Sequence, residues 1–382
     1  MTLKFPTMAE ADGRTLGDEE VAALDRVIRS GMLSSVWGTE TRALEREVAE
    51  MYGSRHAVAC SSGTAALHLS VVAAAPDPGD EIITTPITDF GTVAPILAQN
   101  AVPVFADVDP ETGNLDPSAV AKAIGPRTRA ILVVHLFGAP APVTELRALA
   151  DAHGLALIED CAQAWLAELP DGRYAGTAGH VATLSLQQWK HITCGDGGLT
   201  LTDDDGLARR MRLFADKGWD RSVGRYHESF GLNYRMTELQ AAVARAQLVK
   251  LPGVLAARRR TAERLVAELA DLEALVLPRT QGHAWWLFPI VLPGGGAAEL
   301  AEGLRADGVP ARAGYLSQPL NRAPALTAPV YGGSRYPLEG YVPAPCPEAE
   351  RMVDDTLLIL DWNENYTDEH VEVVAGAVRA AL

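Results

Sequence analysis

The chain is predicted to be an α/β protein. A mostly parallel sheet with helices on both faces should form a large domain, followed by a smaller C-terminal α+β domain. Three observations predict it. Between residues 56 and 160, short apolar runs alternate with helix-length segments. Those runs are apolar nearly throughout, as strands covered on both faces must be. Beyond residue 269 the alternation stops and a strand, a helix and a proline-rich stretch follow instead.

Asp18 reads as the N-cap of a first helix, with Val21, Leu24, Val27 and Ile28 on one face and Gly31 as its stop. A second helix is expected from Glu40 to Tyr52, stopped by Gly53. Strand His56–Cys60 then runs through the small-residue turn Ser61-Ser62-Gly63-Thr64 into a helix from Ala65 to Val72. Strand Glu81–Thr84, a helix near Thr92 to Gln99 and strand Val102–Phe105 follow. Pro117 to Ile124 is a helix with proline in its first turn. Ala130 to His135 is a buried-type strand, Thr144 to His153 a helix, and Leu155 to Asp160 a strand ending in two carboxylates. Leu207 to Phe214, Thr237 to Leu251 and Ala256 to Leu269 read as helices. Trp285 to Leu292 is a strand and Ala297 to Ala306 a helix. Residues 319–347 are irregular, and two helices, near Glu348 to Leu360 and Asp368 to Leu382, close the chain.

The 382 residues suffice for a large core and two domains, expected at 1–250 and 251–382. Hydrophobic residues at 48% and charged residues at 21% are ordinary for a globular protein. The net charge of −16 argues against a nucleic-acid or anionic-membrane surface. It leaves room for a small anion held by local donors. No apolar run reaches the length of a membrane span, and the start from Met1 to Pro6 shows no signal peptide. Cys60, Cys161, Cys194 and Cys346 form no Cys-x-x-Cys pair and no zinc-like spacing with histidine. They are read as free thiols in a reducing cytoplasm, with no metal site.

The chemistry centres on the stretch from Leu184 to Thr200. Lys190 lies there between a strand-like run and the glycine-rich turn Gly195-Asp196-Gly197-Gly198. A lysine held between backbone segments is driven towards its neutral, nucleophilic amine, which attacks aldehydes. Taken alone, a lysine in such a place is far more often a surface residue beside a turn. Asp160, at the end of a buried-type strand, needs a cation or donor. A protonated pyridine nitrogen would serve, as would an arginine or the start of the next helix. Gln163, three residues on, can face the same pocket. The turn Ser62-Gly63-Thr64 opens a helix after a strand, a place where backbone N–H groups and the helix dipole bind phosphate. Ser185 can add a hydroxyl to that phosphate, and Phe90 can stack on a flat ring or fill core. Asn233 precedes a helix capped by Thr237 with Gln240 in the capping-box position. A lysine nucleophile, a carboxylate, a phosphate-binding helix start and an aromatic plate are together the parts that hold pyridoxal phosphate.

At these stretches the chain resembles the DegT/DnrJ/EryC1/StrS family of sugar and cyclitol aminotransferases, within the fold-type I pyridoxal-phosphate enzymes. The residues that carry the resemblance run in family order over nearly the whole chain. They are residues 61–68, 103–109, 135–138, 158–164, Lys190 with 195–198, and 231–242. The resemblance implies that Lys190 carries the covalent link to the cofactor and moves the proton, and that Asp160 pairs with the pyridine nitrogen. It places Gln163 near the cofactor's O3′, Phe90 on the ring, and Ser62, Gly63, Thr64 and Ser185 at the phosphate. It implies a homodimer with shared sites, in which Asn233 reaches the neighbouring subunit's phosphate. Glutamate or glutamine would give the amino group, and a keto-sugar, nucleotide-linked or an aminoglycoside precursor, or a keto-cyclitol would receive it, in amino-sugar or antibiotic biosynthesis.

The chain departs from the usual pattern at Trp189, Trp165, Leu166, His180 and Ser317, and the bulky aromatics are expected to narrow the pocket or offer stacking surface. Gln187-Gln188 resembles the cyclitol and aminoglycoside branch. Two other readings are a pyridoxamine-phosphate-dependent deoxysugar dehydratase, which has histidine in place of the lysine, and a non-catalytic sensor on the same fold. The presence of Lys190 argues against the first, and its company of Asp160, Gln163 and Ser185 against the second.

Overall fold

The computed structural model describes residues 3–224 and 226–382, so Met1 and Thr2 of the leading segment fall outside it. In chain order the elements are α1 (Asp18–Ser30), α2 (Glu40–Tyr52), β1 (His56–Cys60), α3 (Gly63–Ala74), β2 (Glu81–Thr84), α4 (Ala94–Ala98) and β3 (Val102–Phe105). Next come α5 (Pro117–Ala123), β4 (Thr128–Val134), α6 (Val143–His153), β5 (Ala156–Asp160), β6 (Val181–Ser185), β7 (Gly198–Thr202) and α7 (Asp205–Ala215). The chain ends with α8 (Glu238–Leu269), β8 (Leu287–Val291), α9 (Ala297–Ala306), β9 (Ala311–Ala313), α10 (Pro347–Arg351), β10 (Leu357–Asp361) and α11 (Asp368–Ala381).

Seven strands form one sheet in the order β1-β7-β6-β5-β4-β2-β3. β3, β2, β4, β5 and β6 pair in parallel, and β7 runs antiparallel to both its neighbours. Adjacent residues point to opposite faces, and both faces are covered. Ile83, Ile131 and Leu157 pack with Leu44 and Val48 of α2 and Leu248 of α8. Their neighbours Ile82, Leu132 and Ile158 pack on the other side with Leu67 and Val71 of α3. This alternation decides the site. Asp160 shares the α3 side with Ile158, whereas Glu159 shares the opposite side with Leu157.

A second sheet, β8-β10-β9, is antiparallel. Leu358 and Leu360 join a core with α9 and α11, while Leu357 and Ile359 face Phe137 and Trp286. The mixed architecture is the predicted one.

Four local expectations are corrected. Gly17, not Asp18, caps α1; its N–H donates to Glu20 at 2.7 Å, and Asp18 is the first helical residue. The face of α1 turned to the core is Glu20, Ala23 and Val27, so Val21 and Ile28 stand exposed. The two helices expected across 237–269 are one, α8, continuous through Pro252. Packing on both sides of the proline outweighs the hydrogen bond it removes: Leu248 and Leu251 lie in the first core, and Ala262, Leu265 and Leu269 in the second. The helix expected from Glu348 to Leu360 stops at Arg351, passes one π-turn, and becomes β10. A short apolar run such as Leu357 to Leu360 fits strand or helix by local pattern alone.

Candidate active site

At the carboxyl ends of β2, β5 and β6, where open α/β sheets bind ligands, lies a cavity of about 520 Å³. Seven of the nine predicted residues line it: Ser62, Gly63, Thr64, Asp160, Gln163, Ser185 and Lys190. Phe90 is not among them; it packs against the apolar cluster of Phe105, Phe137 and Leu326, between the lining residues Asp89 and Gly91. Asn233 is also outside, exposed on the chain surface and bridged to Asp216.

α3 begins at the cavity. Ser62 is its N-cap and accepts from the Ala65 N–H at 3.1 Å, which leaves the amides of Gly63 and Thr64 at the open helix end. Only glycine fits at 63: a Cβ there would stand 2.7 Å from Ser185 Oγ and 2.8 Å from Ser185 Cβ. The helix start and the end of β6 therefore meet backbone to side chain. The result is a cradle of N–H and hydroxyl donors suited to phosphate.

Asp160 is buried at the tip of β5, its carboxylate accepting from the Ala162 N–H at 3.0 Å and the Thr92 hydroxyl at 3.1 Å. Burial raises its pKa, and the Ala162 N–H, the Lys190 charge and Thr92 offset this only in part. A cationic ring nitrogen would relieve that cost. Glu159, pointing away, is fully engaged elsewhere: His135 Nε2 at 2.9 Å, Gly176 N at 2.8 Å and Ala178 N at 2.9 Å all donate to it. His135, Glu159 and Cys161 bring possible metal-ligand atoms within 4.8 Å of one another. The carboxylate's bonds and the Ala141 N–H donated to His135 Nδ1 commit two of the three to a hydrogen-bonded core.

Lys190 keeps partial exposure as a residue, yet its amine lies deep enough that burial pushes the pKa down to about 8, with Asp160 and Asp89 opposing. Its backbone is fixed from behind, where Arg14 donates to the Lys190 carbonyl at 2.9 Å. Gln163 is oriented by the Phe137 N–H, which donates to Oε1 at 2.7 Å, and donates from Nε2 to Tyr315 Oη at 3.3 Å.

Sequence reasoning missed Asp89, Trp286, Arg312 and Tyr315, all in the cavity wall. Asp89 directly precedes Phe90, so its place after a strand was the available signal. The others come from the second sheet and its flanks, and no local pattern ties them to Lys190. Of the divergent positions, Trp189 lines the cavity, but Trp165 does not narrow it. Trp165 is fully buried and supports Ser185 from below, donating to its carbonyl at 2.9 Å. His180 lies at the opposite end of β5 and β6, accepting from the Leu157 N–H at 2.9 Å.

Residues 14–379 match the DegT/DnrJ/EryC1/StrS aminotransferase family. The chain is 38% identical over 367 residues to an L-glutamine:2-deoxy-scyllo-inosose aminotransferase of Streptomyces kanamyceticus, covering 90% of this chain and 83% of that protein. Among solved structures it is similar to S. venezuelae DesV, captured with a ketimine intermediate, at 34% identity and a TM-score of 0.85 over 95% of this chain and 94% of that one. It is also similar to an aminotransferase from Psychrobacter cryohalolentis, at 30% identity and a TM-score of 0.86 over 96% and 97%. The chain belongs to the DegT/DnrJ/EryC1/StrS aminotransferase family, whose enzymes use pyridoxal phosphate.

Proposed function

We propose that this aminotransferase moves the amino group of glutamine to the keto group of a free polyhydroxylated ring, a cyclitol or an aminoglycoside precursor, in antibiotic biosynthesis. The observation that carries the reading is one cavity lined by Lys190, Asp160, Gln163, Ser185 and the open end of α3. Pyridoxal phosphate supplies an aldehyde for the lysine amine and a ring that withdraws electrons from the carbon losing its proton. The chain's residues fit it. Ser62, Gly63, Thr64 and Ser185 would hold the phosphate, Asp160 would pair with the ring nitrogen, and Gln163 would stand beside the ring hydroxyl. Lys190 would bind the aldehyde. Once freed, its amine takes the proton from the donor's α-carbon and returns one on the acceptor side. A pKa of about 8 leaves that amine able to carry the proton both ways near neutral pH. Phe90 supports the cavity wall at Asp89 and Gly91.

The acceptor class rests on charge. Asp89, Asp160, Asp196 and Asp361 line the cavity against only Lys190 and Arg312 among the described residues. Carboxylates accept hydrogen bonds from hydroxyl groups and repel a nucleoside diphosphate. The same balance disfavours the second carboxylate of glutamate and leaves glutamine as donor, in keeping with the Streptomyces relative's name.

A homodimer completes the reading. Val21 is 65% exposed, Ile28 63%, Trp37 72% and Phe230 76%, large apolar side chains that a partner subunit would cover. Asn233 of the partner subunit would then reach the phosphate. The large domain at 1–250 and the small one at 251–382 meet along α8. No helix among the described residues is long and apolar enough to cross a membrane, and the reading places the enzyme in the cytoplasm.

The test is a two-stage assay. The purified protein with pyridoxal phosphate should lose its visible band on adding glutamine and regain it with 2-deoxy-scyllo-inosose. Restoration only by nucleotide-linked keto-sugars would overturn the acceptor class. A protein that shows no change with any amino donor would overturn transamination itself.

A further inference from the structure

We propose that Trp286 is a further residue of the reaction site: its indole face seats the Lys190 ammonium whenever that amine is free, and the buried Arg258–Glu364 pair holds the seat in place. The proposal rests on the aminotransferase reading, because amino transfer requires Lys190 to leave its bond to the cofactor and wait nearby.

The geometry is direct. Lys190 Nζ lies 4.1 Å from the centroid of the Trp286 ring, within the range where a cation is attracted to an aromatic face. The ring is pinned at both ends. Its Nε1–H donates to the Trp189 carbonyl at 2.6 Å, and its backbone N–H donates to the Phe137 carbonyl at 3.0 Å. The strap that carries it is bent sharply, with Trp285 at a φ of 56° and Phe137 opposite at 59°. A Cβ on Gly138 would stand 2.8 Å from the Trp285 nitrogen, so the two segments touch through backbone.

Arg258 holds this strap from the far side. It is fully buried, and Nη1 donates to the carbonyls of Trp285 at 3.0 Å, Trp286 at 3.2 Å and Trp362 at 2.9 Å. Its other face meets Glu364, with Nε at 2.9 Å and Nη2 at 2.6 Å from the same carboxylate oxygen. Breaking such a pair leaves an uncompensated buried charge, so the arrangement is rigid. An exposed ion pair could not position a ring this way. Arg258 and Glu364 are positioning residues, because they reach Lys190 only through Trp286.

The seat has a consequence for proton transfer. The released amine must stay within reach of the carbon it protonates. An aromatic face holds it there without a competing hydrogen bond, and favours its charged form against the burial that opposes it. On the cavity side the groups around Lys190 are Asp160, Asp89, Asp196 and Asp361, with Arg312 and Tyr315. Behind it lie His191, Arg14 and Arg258. None of these is changed by replacing Trp286.

The experiment measures the titration of residue 190 by competitive acylation and peptide mass spectrometry. It uses protein loaded with pyridoxamine phosphate, in which the lysine is free, and in parallel protein without cofactor. Trp286→Leu should lower the Lys190 pKa by about half a unit to one and a half units, and Trp286→Phe, which keeps an aromatic face, by a few tenths. Arg258→Lys keeps a charge against Glu364 but cannot span three carbonyls, and should shift it in the same direction. Combining Arg258→Lys with Trp286→Leu should add nothing further, since the arginine acts through the ring. A folded Trp286→Leu protein with the wild-type titration overturns the proposal, and additive shifts overturn the role of Arg258. If Trp286→Leu does not fold, carbon-13 NMR of the wild-type lysine side chains decides: the Lys190 ε-carbon should resonate upfield of the exposed lysines, and coincidence with them refutes the seat. The cofactor-free measurement stands even if no amino transfer is found, so the two failures are separable.

Discussion

Replacing Gly63 by alanine should damage cofactor binding through a contact that the backbone cannot evade. The added Cβ would lie 2.7 Å from Ser185 Oγ and 2.8 Å from Ser185 Cβ. Rotating the serine hydroxyl removes the first conflict and leaves the second, because Cβ moves only with the β6 backbone. β6 is buried and paired on both sides, so it yields little. Overpacking of this kind costs about 1–3 kcal/mol. If that cost falls on the closed cradle, affinity for pyridoxal phosphate drops roughly 5- to 150-fold. The assay is a fluorescence titration of cofactor-free protein, with thermal melting as a fold control. The sharper form is a double-mutant cycle with Ser185→Gly. That change alone removes one hydroxyl donor, an effect of about 1 kcal/mol. In the double mutant the clash partner is gone, so affinity should return to that of Ser185→Gly alone. A double mutant as weak as the product of the two singles would refute the close approach of α3 and β6.

Three further outcomes follow from the geometry. Asp160→Asn should reduce turnover roughly 10- to 150-fold, through loss of a charge-assisted bond of about 1.5–3 kcal/mol; the cofactor-free protein should melt no lower at neutral pH, since burial already opposes the charge there. Glu159→Gln should instead lower stability by about 2–4 kcal/mol in denaturant titration, with little change in activity per folded molecule. Burial alone would raise the Glu159 pKa, but His135 and the Gly176 and Gly179 N–H groups outweigh it and hold the carboxyl below its ordinary value. Its stabilising contribution is therefore complete above about pH 4.5 and is lost as pH falls through the depressed folded pKa, a loss the glutamine variant should not show. Ile28→Glu with Trp37→Glu should convert the proposed dimer to monomer in sedimentation velocity and weaken cofactor retention; an unchanged assembly would remove that face from the interface.

The half of the cavity built on the first sheet was legible in the sequence because it hangs on local rules. A carboxylate ending a buried strand must face the crevice, and Asp160 does. A small-residue turn between strand and helix must expose amides, and Ser62 to Thr64 do. The remainder was hidden for two reasons. Trp286, Arg312 and Tyr315 come to the cavity of Lys190 from the second sheet and its flanks, and proximity across so many residues leaves no periodic trace. Ambiguous segments also went to the wrong class: Leu357 to Leu360 fits helix or strand by local pattern until β8 and β9 are there to pair with it. The gap expected between Leu251 and Ala256 is absent, because the cores on both sides of Pro252 hold α8 together. Phe90 was read from its position after a strand; its ring packs on the apolar cluster of Phe105, Phe137 and Leu326, while its neighbours Asp89 and Gly91 line the cavity. The exposed face of α1 looked like core because amphipathic patterning does not tell which apolar positions the fold itself covers.

The claim on which the rest depends is that the amine of Lys190 bonds to the cofactor aldehyde. Borohydride reduction of the protein with pyridoxal phosphate, followed by digestion and mass spectrometry, tests it most directly. One reduced pyridoxyl adduct per chain is expected on the peptide containing Lys190, absent in Lys190→Ala. An adduct on a different lysine, or none on a folded protein that has taken up the cofactor, would contradict it.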